Sequence, residues 1–157
     1  VQLRGAVTSI VSRIYTSKGA PMNLSVLIAA VRGHSMDCLQ YAHEQGCVWD
    51  ATVAAEAAQL HDLPMLRFLH ENGCPWDEHT CIAAAAFHKI DCLKYAHEHG
   101  CPWGNATCAA AAMHGQLNNL KYARENGCSW NAEDCIQNAG TFHPSCQEFI
   151  RSEMNKD

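Results

Sequence analysis

Gly19, Gly46, Gly73, Gly100 and Gly127 recur every 27 residues, and the segments between them keep step without an insertion. Self-similarity at a fixed period of about 20 to 50 residues marks a stacked array, because each unit is one supersecondary piece that cannot bury its own apolar face. The chain of 157 residues divides into five units, 19–45, 46–72, 73–99, 100–126 and 127–153, with residues 1–18 ahead of them and a polar tail, 154–157, behind. "TSIVSRIYTSK" occupies the place of a second helix before Gly19, which makes residues 1–18 a half-unit covering the array. In the last unit the slot of Leu39, Leu66, Leu93 and Leu120 holds Gln147, as a solvent-facing end requires.

Each unit reads as two short helices. In the third, Asp77 or Thr80 caps a first helix through "CIAAAAF", whose alanines favour helix and permit close approach of a neighbour. His88 then falls in a turn. Gly115 holds the equivalent place one unit later, which predicts a left-handed residue there. A second helix runs through "IDCLKYAHEH" with Ile90, Leu93, Tyr95 and Ala96 on its apolar face, and Gly100 followed by Pro102 ends it. The expected fold class is all-α.

The residues also carry a resemblance. "GHSMDCLQYAHEQGC" and "HGQLNNLKYARENGC" resemble the ankyrin pattern of a Gly-His turn, a leucine-rich second helix and a closing glycine; "LKYAHEHGCPW" with "TCAAAA" is similar to the short ankyrin-like repeats of protists and large DNA viruses. The likeness covers residues 19–153. It implies a right-handed α-solenoid of stacked helix-turn-helix repeats that binds protein without catalysis. An ordinary ankyrin unit has about 33 residues, so the shorter unit here implies β-hairpin fingers that are reduced or absent.

Bulk properties exclude several classes. A hydrophobic fraction of 48% with 17% charged residues belongs to a globular chain. The net charge of -5 comes without the clustered Lys and Arg that phosphate neutralisation needs, so a nucleic-acid partner is not expected. No run approaches the roughly 20 apolar residues of a membrane span. The first acidic residue is Asp37, preceded by Arg4, Arg13, Lys18 and Arg32. That beginning resembles the end of an organelle transit peptide, and an organelle is the alternative to the expected intracellular, cytoplasmic setting.

Ten cysteines and ten histidines invite a metal reading. His43/Cys47, His70/Cys74 and His97/Cys101 are spaced His-x3-Cys, and Cys74/Cys81, Cys101/Cys108 and Cys128/Cys135 recur seven apart. Against zinc, no C-x2-C pair occurs, and the histidine slot holds Arg124 and Arg151 in later units. Positive charge in the last turn of a helix suits its dipole. The cysteine slots also accept Ala20, Met65 and Asn119, as expected of small buried side chains. Structural thiols are the favoured reading, with a disulfide framework and a zinc-stabilised repeat as alternatives. Trp49, Trp76, Trp103 and Trp130 share a slot with Met22, which favours packing over a binding ladder.

Identical Cys-His pairs in several units argue against one asymmetric active site, and no glycine run forms a phosphate cradle, so neither an enzyme nor a cofactor is expected. The expected function is a docking or scaffolding module for a protein partner. The alternative is a linker subunit embedded in a large assembly. Partner-binding residues are expected where the units differ along the first helices and their leading loops: Asp50, Glu56, Asp77, His79, Lys89, Asn105, Met113 and His114.

Overall fold

The computed structural model describes residues 23–155. Among the described residues there are ten helices and no strand: α1 (Leu24–Arg32), α2 (Met36–Glu44), α3 (Ala51–Gln59), α4 (Leu63–Glu71), α5 (Glu78–Ala85), α6 (Ile90–Glu98), α7 (Asn105–Met113), α8 (Leu117–Glu125), α9 (Ala132–Ala139) and α10 (Pro144–Met154). The half-unit expected over residues 1–18 lies outside the described residues.

The odd-numbered helices form one row, each packed on the next from α1 to α9, and every even-numbered helix packs on the odd one before it. Contacts within the even row run from α4 to α6 to α8 to α10. Packing is therefore sequential, and the core is a continuous seam. Alanine builds the odd row: Ala54, Ala57, Ala58, Ala84, Ala85, Ala111, Ala112 and Ala139 are buried, and their small side chains let neighbouring axes come close. The seam between the rows is filled by Leu39, Leu66, Leu93 and Leu120, all completely buried. Each such leucine contributes about 1.5 to 3 kcal/mol by leaving water.

Local chemistry sets the helix limits. Asn23, Ser35, Asp50, Asp62, Asp77 and Asn131 each accept a bond from a first-turn N–H, and Pro64 and Pro144 occupy first-turn positions where no N–H is needed. Of the two candidates for the third unit, Asp77 is the cap. Thr80 lies inside α5, completely buried, where Val26 and Val53 stand in earlier units.

The even helices α2, α4, α6 and α8 end alike. Gly100, at φ +79°, donates to His97 O at 3.0 Å, and Cys101 N donates to Ala96 O at 2.9 Å. This is the Schellman arrangement, with left-handed glycine at its corner and the buried pair Ala96 and Cys101 beside it. Odd-row helices end in the same way at His34, His61 and Gly115, all at positive φ. The third unit departs: α5 stops at Ala85 and His88 does not take the left-handed conformation that its alignment with Gly115 predicts.

The reason lies one unit ahead. Asn119, in α8, stands where the other units have Cys38, Met65, Cys92 and Cys146, and it is buried. Its amide Nδ2 donates to Phe87 O at 2.7 Å and Ala85 O at 3.0 Å, with Ala84 O at 3.5 Å. A side chain from the following unit thus supplies the donor that the turn itself does not. Asn119→Leu is expected to cost about 1–3 kcal/mol, the range for stranding a buried hydrogen-bonding group. Urea unfolding measures it, and an unchanged midpoint would show the amide to be dispensable.

Candidate functional site

The even row carries an aromatic seam. His43, His70 and His97 stack on Trp49, Trp76 and Trp103 with ring centroids 4.7, 3.9 and 3.8 Å apart and planes within 16, 12 and 17°. In the next copy Arg124 lies over Trp130, its guanidinium carbon 4.9 Å from the ring centroid. Histidine and arginine alternate in this slot because both are planar and stack on indole. Phe68, Tyr95 and Tyr122 then turn an edge to Trp49, Trp76 and Trp103 at 6.3, 6.2 and 6.0 Å. Arg67, Lys94 and Lys121 cover Tyr95, Tyr122 and Phe149 from the preceding unit at 5.1, 5.6 and 5.7 Å. The tryptophans are packing elements, and four cations of the even row lie over its aromatic rings.

The thiols join units. Cys74, Cys101 and Cys128 donate to the carbonyls of Asp50, Asp77 and Gly104, each 24 residues earlier, at 3.5, 3.2 and 3.3 Å. Burial pushes Cys74 and Cys135 up to about 12 and Cys92 up to about 11, while Cys81 is raised by its hydrogen bond with Cys101 and by burial. Each histidine of the His-x3-Cys pairs is thus committed to a tryptophan, while Cys74 and Cys101 each turn to a carbonyl. Among the described residues no three His, Cys, Asp or Glu side chains gather where they could hold a metal ion.

The outer face of the odd row carries the grooves. There α3 supplies Ala51, Thr52, Ala55, Glu56 and Gln59, and α5 supplies Asp77 and His79, to a groove of about 380 Å³. A second groove of about 410 Å³ is lined on α1 by Leu24, Ser25, Ile28, Ala29 and Arg32. Adding 27 to those five positions gives the five α3 positions, so the two grooves are one surface repeated by the array. Between them Arg32 Nε donates to Glu56 Oε1 at 2.6 Å. At the groove's edge Asp77 Oδ2 lies 3.4 Å from His79 Nδ1.

Of the eight residues expected to bind a partner, Glu56, Asp77 and His79 meet in this groove. Asp50 caps α3 beside it, accepting from Thr52 N at 2.9 Å. Asn105 is occupied between units: its Oδ1 accepts from Asn131 N at 2.6 Å and its Nδ2 donates to Asp134 at 3.2 Å. Lys89, Met113 and His114 stand at the other end of the odd helices; His114 lies over Phe87 with centroids 5.9 Å apart, and Lys89 and Met113 are exposed. Sequence reasoning did not single out Ala51, Ala55, Gln59 or Arg32. The available signal was the register, since Ala55 stands where Ile28, Ile82 and Ile136 do.

Two outcomes follow from this packing. Burial holds His61 and His70 below 6.5, assisted by Lys89 and His88 at the first and by His99 at the second, against a smaller opposing effect of Glu71. The folded state then binds protons less readily than the unfolded chain, so the contribution of these rings is complete above 6.5 and is lost as pH falls below it. Urea midpoints should drop between neutral pH and mild acid, and less steeply in His70→Arg, which copies the Arg124 arrangement. Parallel profiles would dissociate the drop from His70. Thiol labelling of the native protein should start at half-buried Cys38 and Cys47, leave the eight buried cysteines until the fold opens, and reach all ten in denaturant without reductant. Fewer than ten would reveal a disulfide.

No protein-family model matches the chain, and no curated protein matches it.

Proposed function

We propose that the chain is a non-catalytic docking module, an ankyrin-like right-handed α-solenoid without hairpin fingers that receives a protein partner along its odd-helix row. The observation that carries this reading is the recurrence of the same groove in the same register on α1 and α3. A repeated surface suits an extended partner that meets equivalent positions in successive units. Chemistry supports it from the other side: eight of the ten thiols are buried and the strongest shifts on them run upward, away from the reactive thiolate. Buried thiols on backbone carbonyls also fit a reducing, intracellular setting.

The surface favours an adaptor over an embedded linker subunit. Large exposed apolar side chains among the described residues are Val48, Met113, Phe142 and Met154, spread from the loop before α3 to the end of α10. A permanently buried subunit presents a broad apolar patch instead.

Ala55→Phe tests the reading, because the slot already accepts isoleucine in three units. The variant should melt with the wild type and fill the groove. Affinity capture from native material with quantitative mass spectrometry should then lose, by about ten-fold, the proteins that the wild type enriches, a loss equivalent to about 1.4 kcal/mol. Capture of the same proteins at the same level would remove this groove from the docking surface.

A further inference from the structure

We infer that the groove between α3 and α5 takes a cationic, arginine-bearing stretch of extended polypeptide; this rests on the docking reading and specifies its partner. The first observation is where the cations lie: carboxylates stand on both rows, whereas Lys and Arg of the helices are confined to the even row but for one. The odd helices and their caps carry Asp50, Glu56, Asp77, Glu78, Glu133 and Asp134, and their one Lys or Arg is Arg32. Arg67, Lys94, Lys121 and Arg124 lie on even helices, over aromatic rings. Packing alone does not require this division, since the exposed face of an odd helix tolerates either sign.

The second observation is a guanidinium already seated there. Arg32, reaching from the α1 groove, puts Nε on Glu56, whose side chain is 16% exposed, while the arginine itself remains 66% exposed. Glu56 is therefore held in a lining position, oriented to accept an N–H from a planar donor, by a side chain that solvent can draw away. A partner arginine can take that place. Asp77 offers a second carboxylate, 51% exposed, at the far wall of the same groove. Ala51 and Ala55 leave a floor low enough for backbone to approach. Odd helices spaced about 10 Å apart match about three residues of extended chain at about 3.3 Å each, so arginines three residues apart would reach carboxylates on the adjacent helices α3 and α5.

The probe is a fluorescein-labelled peptide of repeated Arg-Ala-Ala, followed by fluorescence anisotropy at low and physiological salt against the full chain. Glu56→Gln and Asp77→Asn should each weaken binding about five-fold, the size of one exposed charge pair; asparagine keeps the α5 cap, so folding is preserved. Arg32→Ala should tighten binding, because it frees Glu56. Arg151→Gln on α10 makes the same change in net charge away from the groove and should leave binding as it is. Should Arg32→Ala act no differently from Arg151→Gln, or Glu56→Gln bind as the wild type does, the inference is overturned. Loss of captured partners in Ala55→Phe without any response of the peptide to these charge variants would keep the docking reading and discard the cationic class. Retention of every partner by Ala55→Phe would discard the docking reading at this groove whatever the peptide does.

Discussion

The joint between units governs the rest of the molecule. A left-handed glycine ends α2, α4, α6 and α8, and the next residue, the cysteine that opens units two to five, uses its N–H to close that helix. In units three to five its thiol then binds the cap carbonyl of the preceding odd helix. One dipeptide therefore stops one helix and fixes its position against another 24 residues back. A β-branched residue would strain the glycine position, and a serine would bring a more strongly hydrated hydroxyl to a buried site. Cysteine is small, apolar enough to bury and still a weak donor. That combination accounts for cysteine at this position in units two to five.

From the joint the indole follows two residues later, and its plane is set against the side chain in the last turn of the helix just closed. The slot thus needs a flat group of helix-terminal polarity. Histidine and arginine meet both conditions, which is why Arg124 stands over Trp130 in the same manner as the three histidines stand over their tryptophans. Dipole complementarity alone would also admit lysine, so the stacking is the stricter requirement. The even row becomes one aromatic strip in which cations from one unit close the rings of the next. Four of its cations, Arg67, Lys94, Lys121 and Arg124, are consequently engaged over rings, while the odd row's one arginine, Arg32, reaches Glu56.

The architecture was legible in the sequence because it depends on short-range rules repeated in one frame: glycine every 27 residues, caps of Asp, Asn and Ser, and leucine in the inter-row slot. The misreading of His88 shows the limit of that frame. Alignment with Gly115 predicts a left-handed turn, yet the conformation of α5's end is decided by Asn119, more than thirty residues away, whose amide caps Ala85 and Phe87. A repeat pattern reports what units share and is silent on a donor that one unit lends another. Gln147 is a parallel case: a polar residue in a leucine slot that donates to Gly140 O at 2.6 Å at the end of α9.

The candidate site was legible only in part for a related reason. Variation between units points to Glu56, Asp77 and His79, which do share a groove, and equally to Asn105, which variation cannot distinguish because its difference serves the neighbouring unit. The residues that make the groove a groove are alanines, and in an array whose odd helices approach through alanine they read as packing. Ala55 breaks that equivalence, since its counterparts in units one, three and five are isoleucine, with alanine again only at Ala109 in unit four. The buried contacts of α3 run through Ala54, Ala57 and Ala58, with Ala55 half-buried beside them. The small side chain at Ala55, beside a carboxylate held by an exposed arginine, is a local feature that the repeat pattern alone does not make visible.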